Sequence, residues 1–256
     1  MELIDTHCHL DFPAFDHDRD EVLKRCHNLG IAKIIVPGVE AKHWGRLLTL
    51  CNQHGGLYPA LGLHPMFIDQ HREEDLALLK KLVEEKKPVA IGEIGLDFYV
   101  EGLDKEKQQH FFEQQLIIAQ EANLPVLLHI RKAHDQTLQT LKRIKVPGGI
   151  AHAFNGSLQQ AEKYIELGFK LGFGGMLTYE RSKRLRKLAK ELPLKNIVLE
   201  TDAPDMTVAA HQGERNSPEY LIECLIALEE IREETREEIS QQLTCNVSSL
   251  NLKVIS

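Results

Sequence analysis

PVAIGEIGLD (88–97), KEKQQHFFEQQLIIAQEANL (105–124) and PVLLHIR (125–131) follow one another with a single short stretch between the first two. The outer segments are near-continuous apolar runs, the pattern of parallel strands covered on both faces. The middle segment is amphipathic and long enough to be the crossover helix that parallel neighbours require. The same rhythm extends both ways. ELIDTHC (2–8), IAKIIVPGV (31–39) and LYPALGLHP (57–65) precede the unit; GIAHAF (149–154), FKLGFGG (169–175) and IVLETDAP (197–204) follow it. Helical patterns fill 18–30, 72–87 and 158–168, and Gly30, Gly55 and Gly168 stand where helix C-caps are expected. Two further helical patterns, 218–232 and 234–247, close the chain. Eight strand-like runs alternating with helices specify an α/β fold, a (β/α)8 TIM barrel. The competing open doubly wound sheet calls for a G-x-G-x-x-G after the first strand, and none is there. The 256 residues suit one such barrel over 1–256.

Composition narrows the function classes. Hydrophobic residues are 43% and charged residues 27%, ordinary for a globular chain with a sizeable core. No apolar run is long enough to span a bilayer, and MELIDTHCHL lacks a signal core. The five cysteines form no C-x-x-C pair, which argues against a disulfide framework or a thiolate zinc cluster. The expectation is a cytoplasmic protein with no membrane association and no obligate protein partner. A net charge of −7 disfavours broad non-specific binding of nucleic acid. A nuclease stays open if positive charge is concentrated at the site.

The chemistry-bearing residues fall at the ends of the runs. His7 and His9, two apart, share one face of an extended chain, with Cys8 on the other. A lone H-x-H pair is weak. Glu93 adds to it, because a carboxylate in an apolar strand needs a partner. His129, His152 and Asp202 end three further runs. In a barrel of this type that face carries the active site. Read singly, each residue is a buried polar group with a local hydrogen bond; together they form a metal-ligand set.

DTHCHLD (5–11), GLHP (62–65), GEIGLD (92–97), LHIR (128–131), HAFNG (152–156) and ETDAP (200–204) resemble, in order, the motifs of the TatD family of metal-dependent deoxyribonucleases, within the amidohydrolase barrels and nearest its YjjV branch. RNSPE (215–219) resembles the family's segment after the last strand. The resemblance implies two divalent metal ions, one held by His7, His9, Glu93 and Asp202, the other by Glu93, His129 and His152. Zinc, manganese and magnesium are the candidates, and the histidine-rich donors favour the first two. Asp202 is the expected general base, beside the bridging Glu93. Arg131, His64 and His134 are expected to contact the substrate, DNA or oligonucleotide ends. The alternative is an amidohydrolase acting on a small amide, lactone or phosphoester; many dinuclear members use a carboxylated lysine where this chain has Glu93. Arg215 and Asn216 are expected to pin the last loop. The basic run 181–187 is read as a solvated helix face, and His17, His27, His43, His54, His71, His110 and His211 as surface residues.

Overall fold

The computed structural model describes residues 2–250 and 252. Eight parallel strands lie in chain order: β1 (Leu3–Asp5), β2 (Ile31–Pro37), β3 (Leu57–Leu61), β4 (Ala90–Asp97), β5 (Val126–Arg131), β6 (Gly149–Ala151), β7 (Phe169–Phe173) and β8 (Ile197–Leu199). The Thr6 N–H donates to Leu199 O and the Asp202 N–H to His7 O, which brings the last strand back to the first and nearly closes the barrel. Crossover helices are α1 (Arg19–Asn28), α2 (Trp44–Gln53), α3 (Glu73–Lys86), α4 (Lys105–Ala122), α5 (His134–Arg143), α6 (Leu158–Glu166) and α7 (Lys183–Glu191). After β8 come α8 (Leu221–Glu229) and α9 (Arg236–Ser248). Among the described residues no helix is long and apolar enough to cross a membrane.

Two apolar layers follow from strand alternation. Leu3, Ile34, Val36, Leu128, Leu171 and Leu199 face outward, into the shell packed against the helices. Ile4, Ile35, Leu127, Ile150 and Val198 face inward, and Val247, Leu250 and Leu252 from the end of the chain pack with them. The next inward positions, toward the strand C-termini, are polar: His129 on β5, His152 after β6, Glu200 after β8. The core therefore fills one end of the barrel and the site sits on it.

Glu93 reaches that layer through an irregularity. The β4–β5 register slips between Ile91 and Ile94. Ile91, Ile94 and Leu96 pack outward. The slip turns Glu93, Gly95 and Asp97 to the interior, the re-aiming that a bulge provides. Gly95 has φ +143°, and a Cβ there would lie 2.0 Å from the His129 carbonyl oxygen. Gly95→Ala is therefore expected to destabilise the fold by about 3 kcal/mol or more. Gly102→Ala is the control: φ is +84° but nothing lies within 4 Å, so only about 1–2 kcal/mol of backbone strain applies. Urea unfolding of the two variants checks the ranking.

The expected cap at Gly55 is displaced by one residue. His54 ends α2 in an extended conformation, and Gly56 takes the left-handed φ of +89°. Gly30 and Gly168, at +82° and +85°, sit as expected.

Candidate metal centre

Strand β1 is shorter than its apolar run and stops at Asp5, so His7 and His9 stand on the loop beyond it. Asp5 holds that loop: it accepts from the His7 N–H, the Thr201 N–H and the Thr201 hydroxyl, tying the end of β1 to the end of β8. Cys8 is buried away from the site, in the outer core.

Glu93 is at the centre of the cluster. Its Oε2 lies 2.9 Å from His7 Nε2 and 3.5 Å from His9 Nε2. Its Oε1 lies 3.1 Å from His129 Nδ1 and 3.2 Å from His64 Nε2. Asp202 Oδ1 faces His7 Nε2 at 3.7 Å and His9 Nε2 at 3.6 Å, and its Oδ2 faces His152 Nε2 at 3.5 Å. The His7 and His152 rings stack with centroids 3.7 Å apart. Three sets have all ligand atoms within 4.8 Å of one another: His7, Glu93 and His152; His7, His9 and Asp202; His64, Glu93 and His129. His129 and His152 do not share such a set among the described residues.

The outer nitrogens of His9, His129 and His152 also face oxygens, whereas His7 Nδ1 is buried without a partner. His9 Nδ1 lies 3.2 Å from Pro37 O. His129 Nε2 lies 2.9 Å from Asp97 Oδ2. His152 Nδ1 lies 2.9 Å from Glu200 Oε1, too bent for a regular hydrogen bond. A neutral imidazole has one N–H. If each outer oxygen takes it, the inner nitrogen meets a carboxylate oxygen lone pair to lone pair. Only a ring proton or a cation relieves that repulsion, and a divalent cation fits the donor set.

Burial and charge compete throughout the cluster. Burial works against the charged Glu93, yet the surrounding imidazoles hold its carboxyl well below the usual carboxylate range. Burial also works to lower His9, but Glu93 and Asp202 lift it to about 9. His152 is lifted against its burial by Glu200 and Asp202. Burial prevails at His64, pushing it down to about 4. It prevails at Asp5 too, raising the carboxyl to about 7 despite the bonds from Thr201. Burial and the neighbouring His152 push His7 down as well, so the carboxylates favour a charged ring at His9 and His152 but not at His7 or His64.

A family model described as TatD related DNase matches residues 4–251. The chain belongs to the TatD family. It is 44% identical over 250 residues to the metal-dependent hydrolase YjjV of Escherichia coli (strain K12), covering 96% of each chain. To the metal-dependent hydrolase YabD of Bacillus subtilis (strain 168) it is 35% identical over 250 residues, covering 97% of this chain and 98% of that one. The crystal structure of the YjjV TatD homolog from Escherichia coli superposes with a TM-score of 0.94 at 43% identity, covering 97% of both chains.

Not every residue singled out from the sequence of this TatD-family chain lies in the centre. Arg131 is exposed at the end of β5, its guanidinium stacked 3.8 Å from the Tyr99 ring centroid rather than turned into the barrel. His134 is buried at the start of α5, with Nε2 3.1 Å from Asn155 Oδ1 and Nδ1 3.4 Å from the Tyr164 hydroxyl. His64, expected at the substrate, stands against Glu93. Sequence reasoning placed His71 on the surface; it is buried, and its ring donates to His64 O at 2.9 Å. Arg215 forms a two-pronged pair with Asp18, and Asn216 donates to Thr201 O and Asp205 O, so both pin the last loop. Asp97 and Glu200 were passed over. Their motifs, GEIGLD and ETDAP, contain them, but only the fold shows which histidine each one faces.

Proposed function

We propose that this TatD-family metal-dependent hydrolase cleaves phosphodiester bonds at DNA or oligonucleotide ends. The observation that carries the reading is Glu93, with imidazole nitrogens on both oxygens and Asp202 facing two of those rings, His7 and His9. Two divalent cations would be held, one by His7, His9, Glu93 and Asp202 and the other by Glu93, His129 and His152, the second requiring His129 and His152 to draw closer than they stand here. Histidine-rich donors favour zinc or manganese. When bound at these residues, divalent cations would supply Lewis-acid chemistry, activating water and offsetting the charge on a phosphodiester. Asp202, with 17% of its side chain exposed, is the carboxylate of the cluster most open to the mouth and is assigned the proton of the attacking water. Arg131 keeps a substrate role only at the rim, where its guanidinium and Tyr99 form an exposed cation–aromatic pair that fits a phosphate with its base. His134 is reassigned to holding the loop after β6 through Asn155. The free thiols support a cytoplasmic location.

The wild type, supplied with Mn2+ or Zn2+, should release nucleotides from single-stranded DNA, and His7→Ala should not. Activity surviving His7→Ala would assign the cleavage to another protein. Hydrolysis of small amides or lactones with none of DNA would replace the substrate class while keeping the centre.

Asp97 tests how the centre is held. Its carboxylate takes the N–H of His129 and so leaves Nδ1 facing Glu93. Asp97→Asn should weaken cation binding by about 10–100-fold without lowering the saturating stoichiometry. Competition against a chelator measures this, and unchanged affinity would remove Asp97 from that role.

A further inference from the structure

The remote nitrogen separates His64 from His9 and His129 around Glu93, whereas His7 Nδ1 is buried without a partner. His9 and His129 present that nitrogen to an oxygen that can only accept, Pro37 O and the Asp97 carboxylate. His152 presents it to Glu200. In neutral His9 and His129 the single N–H then points outward, and a lone pair points to the centre.

His64 is the opposite case. Its Nδ1 accepts a hydrogen bond from the Met66 N–H at 3.1 Å. A nitrogen that accepts carries no proton, so the neutral ring has its N–H on Nε2. Nε2 faces Glu93 Oε1 at 3.2 Å. For Nε2 to bind a cation, the proton would have to move to Nδ1, where it would meet the Met66 N–H donor to donor. The backbone cannot turn away easily. His64 caps the short helix Pro65–Gln70, its own N–H donates to Val39 O, and its carbonyl accepts from Phe67 N–H and the His71 ring. His71 is buried and locks that turn from below.

We infer that His64, although its Nε2 stands within 4.8 Å of Glu93 and His129 ligand atoms, is not a metal ligand but the N–H donor that orients Glu93. A carboxylate oxygen has two lone pairs. Oε1 can take the His64 N–H on one and leave the other free to face a cation. His64 is a positioning residue: it acts through Glu93. The inference rests on the proposed metal centre but not on the nature of the substrate.

The test is the protonation state of the ring in the full-length protein, by long-range 15N–1H correlation with 15N-labelled histidine, before and after Zn2+ is added. A protonated Nε2 and an unprotonated Nδ1 in both states are expected. Equilibrium dialysis with Zn2+ gives the second readout. His64→Ala should bind the same number of ions at saturation with affinity lowered about 10–100-fold, and His64→Gln, whose amide can also donate, should recover much of it. A Zn2+-bound Nε2 with the proton on Nδ1, or one ion fewer per chain in His64→Ala, would overturn the assignment. The wild-type spectrum decides even if the variants fold poorly. Failure of the wild type to cleave DNA would bear on the substrate alone, and the tautomer would still decide the role of His64.

Discussion

Glu93→Ala should lower turnover on a phosphodiester by at least about 10³-fold and strip the protein of most of its divalent cation. Both Glu93 oxygens are engaged, with His7 and His9 on one and His129 and His64 on the other. Alanine leaves those imidazoles facing one another with no anion between them, so cation binding loses its central charge. Cation stabilisation of the transition state is worth several kcal/mol, and each 1.4 kcal/mol or so is tenfold in rate. Urea unfolding must accompany the assay. The deletion removes a buried charge together with its costs, so the fold should keep a cooperative transition. A variant that binds cation and turns over at near wild-type rates would remove Glu93 from the centre.

Asp202→Asn should separate chemistry from binding. Asparagine keeps the shape and one oxygen toward His7 and His9, but it cannot accept the proton of an attacking water. Turnover should fall by about 10²–10⁴-fold. The number of ions bound at saturation should stay that of the wild type, with weaker affinity because a charged donor has become neutral. The left-handed φ of +57° at Asp202 favours this exchange, since asparagine tolerates that region about as well as aspartate. An equal fall in ion count and turnover would make Asp202 a ligand only, and the base would have to be sought elsewhere.

The sequence carried the fold because each strand is a near-continuous apolar run and each helix is amphipathic; the order of eight needs no long-range information. It carried His7, His9, Glu93, His129, His152 and Asp202 as a set because strand C-termini converge in a barrel whatever the loops do. Details that depend on register were not legible. Simple alternation along β4 does not bring Glu93 and Ala90 to one face; the slip opposite β5 does. Arg131 shares the parity of His129, but it is the last residue of its strand, where Tyr99 offers a nearer partner than the barrel. His71 looks like a loop histidine until the turn at 64–70 folds over it. The roles of Asp97 and Glu200 depend on which nitrogen of which ring each one touches, a relation between residues far apart in the chain.

The proposed centre would hold two cations around Glu93 and cleave phosphodiesters. The most direct test is titration of the cation-free protein with Mn2+, following bound ion and cleavage of a labelled single-stranded oligonucleotide in the same samples. Cleavage is expected to rise with the second ion per chain and to reach its plateau at two. Full activity at one ion per chain, or two ions bound with no cleavage of DNA or of a small phosphodiester, would contradict it.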